Sequence, residues 1–352
     1  MSILYIVIGI LIFGLLIAVH ELGHFAAAKA CGVKVNEFAV GMGPAIVKKQ
    51  KGETLYSLRC IPFGGYCAME GEDEDTGDTR AFSNQKAWKR LLILAAGSAM
   101  NFLTGFVIVL VLFSNAGGFR APVIEAFMPG CPYESADGLQ VGDRFYSING
   151  RRVRLQSDIN RFLDEDGSYD LVLIRGGEKV RLDDYALSRR SYEGETGQYF
   201  GFRFGAAEEA TFGIKLRQSW ATTKEFVSLI WLSLGELVHG RVGLQDLSGP
   251  VGIVDLMAET GEQAETTSDA LRGIFYLGAF IAVNLAVMNM LPIPALDGGR
   301  VFLLLVTWLI ESVTRKKLDP KYEGAIHTAG MVLLLALMAF VMFNDIFKLI
   351  RG

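Results

Sequence analysis

Long uncharged stretches of apolar residues alternate with segments of mixed character along this chain of 352 residues. Residues 3–19 contain no charged side chain, and the apolar run continues to residue 28. A helix of this length can cross the hydrocarbon core of a bilayer. The run is too long for the apolar core of a signal peptide, and no basic residue precedes it. We therefore predict a first transmembrane helix over residues 2–30.

Three more apolar stretches have the length of a membrane span, so the pattern predicts a multi-pass α-helical membrane protein with four transmembrane helices. The third stretch is interrupted by Pro292 and Pro294. The three stretches cover residues 91–114, residues 273–291 with a continuation over 301–310, and residues 327–343.

The basic residues between the spans predict the orientation. Residues 315–317 form the densest basic cluster, and Lys89 and Arg90 precede the second span. The positive-inside rule places both groups in the cytoplasm, with the termini and the long central insert outside. The segment 220–239 is a rival fifth span that would invert this arrangement. Its three charged residues favour an amphipathic helix on the outer face.

The central insert changes to mixed charge with turn signals. Residues 143–148 and 169–175 alternate like strands and are followed by Asn-Gly and Gly-Gly turns. Residues 157–162 are typical of a short helix with Ser157 as its N-cap. We expect a small α+β domain at 119–187. Residues 138–150 (GLQVGDRFYSING) resemble the core motif of PDZ domains; the alternative is an unrelated small β domain.

The loop after the first span is rich in glycine and proline. Its apolar pieces at residues 35–68 predict β-hairpins that lie against the cytoplasmic leaflet. Such backbone is tolerated at membrane depth only when protein or a wet cavity surrounds it. The acidic run at residues 70–75 lacks the ligand spacing of an EF-hand, so we interpret it as a solvated loop.

Composition narrows the function. The chain has 38 acidic and 34 basic residues, which argues against a nucleic-acid partner. Its four cysteines show no C-x-x-C spacing, which argues against a disulfide scaffold and a cysteine zinc cluster.

The strongest chemical signal is the sequence H-E-x-x-H at residues 20–24. Residues four apart share a helix face, so His20 and His24 can both reach one ion, with Glu21 beside them. The two histidines lie well inside the first span, where ionisable side chains are costly and usually functional. We predict a Zn²⁺ site here. Polar residues that cap the helix at the interface are the alternative.

A catalytic zinc site needs a third protein ligand. His239 and His327 are poor candidates, because one belongs to the outer helix and the other begins the fourth span. Asp297 is the better candidate, since it follows two prolines that break a membrane segment and precedes two glycines. The alternative is a proline hinge in which Asp297 pairs with Arg300.

Together these features resemble the site-2 protease family of intramembrane zinc metalloproteases, specifically the bacterial type with one PDZ domain. The resemblance covers most of the chain in order. Besides H-E-x-x-H and the PDZ motif, it rests on GMGP (41–44), PFGGY (62–66), Arg90, Asn101, GPVGI (249–253) and N-x-x-P-x-P-x-L-D-G (289–298). Ser98 stands where many members have proline, which leaves the catalytic prediction intact.

The resemblance implies a role for each site residue. His20, His24 and Asp297 bind zinc, Glu21 is the catalytic base, and Asn289 binds substrate. The expected reaction is hydrolysis of a peptide bond within the membrane segment of single-span proteins, such as anti-sigma factors or signal-peptide remnants. In regulated intramembrane proteolysis it follows a first cleavage on the outer side. The enzyme would lie in the bacterial cell membrane, with its active site towards the cytoplasm.

The expected organisation has four parts. They are residues 1–118 with two spans and the hairpin, the outer PDZ at 119–187, an outer linker with an amphipathic helix at 188–270, and the last two spans at 271–352. The PDZ could bind a terminus or exclude bulky substrates. Two rival functions are a zinc transporter, which would not need Glu21 or a PDZ, and an inactive scaffold, which would have lost a ligand or the glutamate.

Overall fold

A computed structural model of the protein describes residues 3–72, 77–205, 207–241, 243, 248–314 and 320–351. The chain forms two compact units. The first combines Met1–Leu112 with Thr223–Gly352, and the second is Phe113–Thr222. The basic cluster at 315–317 and residues 73–75 of the acidic run lie outside the described residues.

Helices dominate the first unit, and one short helix at residues 156–162 lies in the second. The described helices are α1 (Ile3–Cys31), α2 (Ala87–Ser114), α3 (Gln156–Phe162), α4 (Phe212–Val238), α5 (Pro250–Glu262), α6 (Thr267–Asn289), α7 (Asp297–Thr314) and α8 (Pro320–Arg351). Four of them are long and apolar enough to cross a membrane, namely α1, α2, α6 and the part Thr328–Lys348 of α8. The structure thus has four candidate membrane-spanning helices, consistent with the four predicted spans, and α4 is not among them.

The helices expose large apolar side chains on their outer faces. In α8, Leu333 is 71% exposed and Phe343 69% exposed. A soluble protein would cover such a surface, whereas lipid tails solvate it. The opposite faces of the helices pack together. One buried cluster joins α1, α5 and α6 and includes Ile12, Leu16, Met257 and Ile281.

The predicted break in the third apolar segment is present. α6 ends at Asn289, residues 290–296 are not helical, and α7 begins at Asp297. Proline at 292 and 294 removes two backbone donors, so a continuous helix is disfavoured here. Ala295 has φ of 79°, an unfavourable left-handed conformation for a residue with a Cβ. Such strain is typical of functional sites.

The strands are mostly short. In chain order they are β1 (Val35–Lys51), β2 (Thr54–Met69), β3 (Gly118–Arg120), β4 (Ile124–Phe127), β5 (Arg144–Ile148), β6 (Arg151–Arg152), β7 (Gly167–Arg175), β8 (Glu178–Leu187), β9 (Arg190–Ser191), β10 (Gln198–Tyr199), β11 (Phe202–Phe204) and β12 (Ala207–Glu209).

β1 and β2 form one long, strongly bent hairpin. Residues 37–40 of β1 pair with 65–68 on one side and with 55–58 on the other, and the 55–58 segment also pairs with 47–50. Gly64 has φ of 92°, a conformation that strongly favours glycine and permits such a bend. The hairpin also contacts α1, because a Cβ on Gly65 would lie 3.4 Å from Cγ of Glu21.

The second unit contains a four-stranded sheet in the order β6-β5-β7-β8. Its core includes Phe145, Ile148 and Leu171, which are buried beneath α3 together with Ile159. The predicted strands therefore form. Two-stranded pairs β11-β4, β12-β3 and β10-β9 accompany the sheet.

Turn chemistry in this unit follows the sequence, but helix capping differs. Asn149 has φ of 48° and Gly150 of 74°, as the predicted Asn-Gly turn requires. The assignment of Ser157 as N-cap is wrong, since α3 begins one residue earlier and Leu155 occupies that position. The Asp158 carboxylate accepts the backbone N–H of Leu155 at 2.9 Å. This is the bond from the N3 side chain back to the N-cap residue, and it differs from the first-turn N–H that a serine N-cap would accept.

Candidate metal centre

Three predicted ligands meet at one point in the first unit. His20 and His24 are buried one turn apart on α1, and Asp297 is the first residue of α7. Residues separated by 273 positions in the chain, His24 and Asp297, are thus brought within reach of one ion. Among the described residues this is the one cluster of His, Cys, Asp or Glu with converging ligand atoms.

The three ligand atoms form a small triangle. Nε2 of His20 lies 3.1 Å from Nε2 of His24. Oδ2 of Asp297 lies 3.0 Å from the first nitrogen and 3.3 Å from the second. Tetrahedral zinc with bonds of about 2.0–2.1 Å separates its ligand atoms by about 3.3 Å. The spacing therefore fits zinc closely.

The hydrogen-bonding pattern also fits a metal. Asp297 Oδ2 is buried, and none of the described residues donates an aligned hydrogen bond to it. Two nitrogen atoms and one carboxylate oxygen face a common point, which is the donor set of catalytic zinc sites with an open fourth position.

α2 orients the second histidine. Nδ1 of His24 lies 2.8 Å from the carbonyl oxygen of Ile93. Because a carbonyl only accepts, His24 carries its proton on Nδ1 and presents the lone pair of Nε2. Bonds of this kind fix the orientation of metal-binding imidazoles.

A glycine lets α2 approach the two rings. A Cβ on Gly97 would lie 2.7 Å from Cε1 and 2.8 Å from Nε2 of His20. These separations are shorter than van der Waals contact, so a side chain here would displace the imidazoles. Sequence reasoning did not single out Gly97. Its only signal was its place four residues before Asn101.

The two glycines after Asp297 have a similar role. A Cβ on Gly299 would lie 2.7 Å from the backbone carbon of Ile293, in the break before α7. Gly298 faces Met290 and Leu291 of the same segment. The broken backbone therefore folds directly onto the first turn of α7, and this close packing fixes Asp297.

Glu21 and Asn289 line the same cavity as His20 and Asp297. The cavity has a volume of about 240 Å³, and its other lining residues include Asn101 and Leu285. Nδ2 of Asn289 lies 3.5 Å from Nε2 of His20. Four of the five predicted site residues therefore line one small cavity, and the fifth, His24, reaches Asp297 at 3.3 Å.

Arg300 and the acidic run have partners that differ from those the sequence predicted. Arg300 forms an ion pair with Glu72, so the alternative in which it pairs with Asp297 is not supported by the geometry. Glu70 is also paired, with Lys34 at 3.0 Å. The interpretation of the acidic run as simply solvated is therefore wrong for Glu70 and Glu72. His239 is exposed beyond α4, and His327 lies within α8.

Comparison with known proteins adds an independent finding. The sequence model of peptidase family M50 matches residues 8–337. The chain belongs to peptidase family M50. This is the site-2 protease family that the sequence resembled. As a member, the M50 protein is a zinc metalloprotease, so the predicted enzyme class and metal are confirmed.

Relatives of the M50 protein are similar along nearly their whole length. A protein of Clostridium acetobutylicum, provisionally named a zinc metalloprotease, is 36% identical over 98% of both chains. One of Clostridium perfringens with the same kind of name is 33% identical over 97% of this chain and 98% of its own. The regulator of sigma-W protease RasP of Bacillus subtilis is 28% identical over 97% of both chains.

Proposed function

We propose that this M50 protein cleaves a peptide bond within the membrane-spanning segment of single-span proteins. The observation that carries the proposal is the convergence of His20, His24 and Asp297 at a cavity lined by Glu21, between helices that can cross a bilayer. A membrane position for hydrolytic chemistry indicates a membrane substrate, since ionisable groups are costly there.

The same geometry supports the proposed ligand set. His20, His24 and Asp297 hold the zinc, and the family resemblance assigns them the same role. When bound, zinc lowers the pKa of a water molecule and polarises the substrate carbonyl. Because Asp297 begins α7 and both histidines lie on α1, a shared zinc ion would link these two helices.

Glu21 moves the proton. It accepts a proton from the attacking water as the oxygen bonds to the peptide carbon. It then donates this proton to the leaving nitrogen as the carbon–nitrogen bond breaks. Asn289 directs its amide N–H groups into the cavity, where they can bind the carbonyl oxygen of the substrate.

The substrate helix must open before cleavage, because its carbonyls are hydrogen-bonded and screened. The β1–β2 hairpin is suited to receive the opened segment as an added strand, replacing lost backbone bonds. Gly65 of this hairpin lies against Glu21, which brings the edge of β2 close to the catalytic carboxylate. Exposed apolar residues on the hairpin, such as Met42 and Ile46, are consistent with association with the cytoplasmic leaflet.

The natural substrates are anti-sigma-factor-like proteins and signal-peptide remnants. The name of the Bacillus subtilis relative, regulator of sigma-W protease, supports the first class. Cleavage follows a first cut that removes the outer part of the substrate. The enzyme resides in the bacterial cell membrane with the metal centre towards the cytoplasm and the second unit outside.

The second unit is a PDZ domain that limits access by size. Support comes from the four-stranded sheet with α3 and from the sequence of residues 138–150, which includes β5. A soluble domain can exclude bulky substrates without a specific contact. Binding of an exposed terminus is the alternative, and a cavity of about 550 Å³ lined by α3 and residues 198–204 offers room for it.

Glu21→Gln tests the function. The substitution keeps the size of the side chain and removes the base, so proteolysis of a membrane-embedded substrate should fall by about 10²- to 10⁴-fold. Zinc content should remain one per chain, while alanine at His20 or Asp297 should lower it well below one. A transporter or scaffold would keep its own activity in Glu21→Gln, and unchanged cleavage by this variant would remove Glu21 from the role of base. Full zinc occupancy in Asp297→Ala would remove that residue from the ligand set.

A further inference from the structure

A buried carboxamide lies behind the first histidine. Asn101 is 1% exposed, and its Nδ2 lies 3.3 Å from Nδ1 of His20, on the side of the ring away from Asp297. The carboxamide oxygen is buried and has no hydrogen-bond partner among the described residues. A buried oxygen without a partner is costly, which calls for a reason.

We propose that Asn101 is a positioning residue for the metal centre: its carboxamide oxygen accepts a hydrogen bond from Nδ1–H of His20 and keeps Nε2 free for zinc. The proposal rests on the ligand set given above. It assigns to Asn101 a role through His20, without contact to substrate.

The tautomer of His20 is the central point. A neutral imidazole carries one proton, on either Nδ1 or Nε2. Nε2 of His20 faces Nε2 of His24 and Oδ2 of Asp297, so it is the metal-binding atom. Binding through Nε2 requires the proton on Nδ1, and a proton buried there requires an acceptor.

Asn101 is the described residue placed to supply that acceptor. The oxygen and nitrogen of a carboxamide are nearly equal in shape, so the hydrogen-bonding network decides which of them faces a neighbour. Rotation about Cβ–Cγ exchanges the two atoms and brings Oδ1 to Nδ1–H of His20. With Nδ2 towards the ring, Nδ1 would accept and Nε2 would carry the proton, which opposes zinc binding.

The two histidines are thereby held from the same helix. His24 donates from Nδ1 to the carbonyl of Ile93, and His20 donates to the side chain of Asn101. Both partners belong to α2, two turns apart, with Gly97 between them. α2 supplies no ligand, yet it sets the orientation of both imidazoles. Supporting groups of this kind usually change metal affinity by about 10- to 100-fold when removed.

Three variants of the full-length protein test the proposal, with zinc affinity measured by chelator competition. Asn101→Leu keeps the volume and removes the acceptor, so zinc should bind about 10- to 100-fold more weakly. Asn101→Asp restores an acceptor oxygen and should bind zinc at least as tightly as the parent. Ser98→Ala is the matched control, because Ser98 is buried one turn away on α2 and its Oγ makes no hydrogen bond to a described residue.

A second measurement separates positioning from packing. Without zinc, His20 can carry its proton on Nε2 and does not need this acceptor, so the melting temperature of Asn101→Leu should stay close to that of the parent. A merely structural asparagine would lower this temperature and would not be rescued by aspartate.

The outcomes distinguish this inference from the proposed ligand set. Loss of zinc in His20→Ala, with parental affinity in Asn101→Leu, would overturn the role of Asn101 alone. Weak zinc binding by both Asn101→Leu and Asn101→Asp would also overturn it. Full zinc occupancy in His20→Ala would overturn the ligand set and this inference with it.

Discussion

Asp345 of α8 accepts the backbone N–H of Gly252 in α5, with 2.9 Å between Oδ2 and the nitrogen. The same oxygen accepts the N–H of Gly249, also at 2.9 Å. These donors belong to the open N-terminal turn of α5, where a carboxylate is favoured by the unpaired N–H groups and the helix dipole. The contact explains the GPVGI motif at 249–253, because a Cβ on Gly249 would lie 2.9 Å from this oxygen.

Loss of this contact should destabilise the first unit. Asp345 is 3% exposed, so Asp345→Leu would leave two backbone donors without their acceptor. We expect a loss of about 1.5–3 kcal/mol, because the bonds involve a charged group. Thermal unfolding in detergent checks this. Met338→Leu, on the exposed side of the same helix, should unfold like the parent. Equal melting temperatures for Asp345→Leu and the parent would contradict the prediction.

Gly97→Ala should disrupt the metal centre although it replaces none of the proposed ligand residues. The added Cβ would approach His20 Nε2 to 2.8 Å, so the rings must move. Misplacement of a catalytic group by about 1 Å can cost 10²-fold in rate. Proteolysis and zinc content both report the change. Gly235→Ala in α4 is the control, because its Cβ would have no neighbour within 4 Å. Normal zinc content and activity in Gly97→Ala would refute the close approach.

The orientation can be tested by cysteine labelling in intact cells. Arg181→Cys in β8, at a side chain 71% exposed, should react with a membrane-impermeant thiol reagent if the second unit is outside. Lys49→Cys in the hairpin should react only after permeabilisation. Both variants require a background without Cys60 and Cys131. The opposite labelling pattern would invert the orientation and make α4 a candidate fifth span.

Deletion of residues 119–187 should separate the two roles proposed for the second unit. If the domain excludes by size, the deletion lets the protease cut substrates that still carry their outer part, and cleavage of truncated substrates persists. If the domain binds a terminus, the deletion slows cleavage of truncated substrates. Comparing both substrates decides between the roles. Unchanged cleavage of both would exclude them together.

An ion-pair group at the hairpin turn should make stability depend on pH. Glu53 accepts hydrogen bonds from Arg80 at 2.7 and 2.8 Å and from Lys29 at 2.7 Å. These cations lower the pKa of Glu53 to about 2 from 4.5. A carboxyl with a lowered pKa stabilises the folded state above pH 4.5, and this contribution is lost as the pH falls towards 2.

Glu53→Gln isolates this contribution. Its melting temperature should be below that of the parent at pH 7, and the two values should converge between pH 4.5 and about 2. Glu195→Gln is a comparison on the second unit, since Arg203 is the one cation that pairs with Glu195 among the described residues. A difference for Glu53→Gln that stays constant across this pH range would mean that its ionisation does not contribute.

The sequence alone determined the elements and the chemistry. Length and apolar character predicted four spans, because hydrocarbon permits only backbone that bonds to itself. The H-E-x-x-H pattern predicted a metal site, since helical periodicity is local and places His20 and His24 on one face. The signature at 289–298 predicted Asp297 as the third ligand. The two prolines break the helix locally, and a carboxylate within a membrane segment is rare.

Other features were decided only by the tertiary structure. Three contacts depend on which helices become neighbours. They are the ion pair of Arg300 with Glu72, the capping of α5 by Asp345, and the orientation of both imidazoles by α2. Such contacts join residues from 69 to 228 positions apart, and no local periodicity relates them. The sequence showed Gly97 only as a small residue and Asn101 only as a carboxamide within an apolar helix. Their function follows from the ring of His20 beside them, a position that only the packing of α1 against α2 creates.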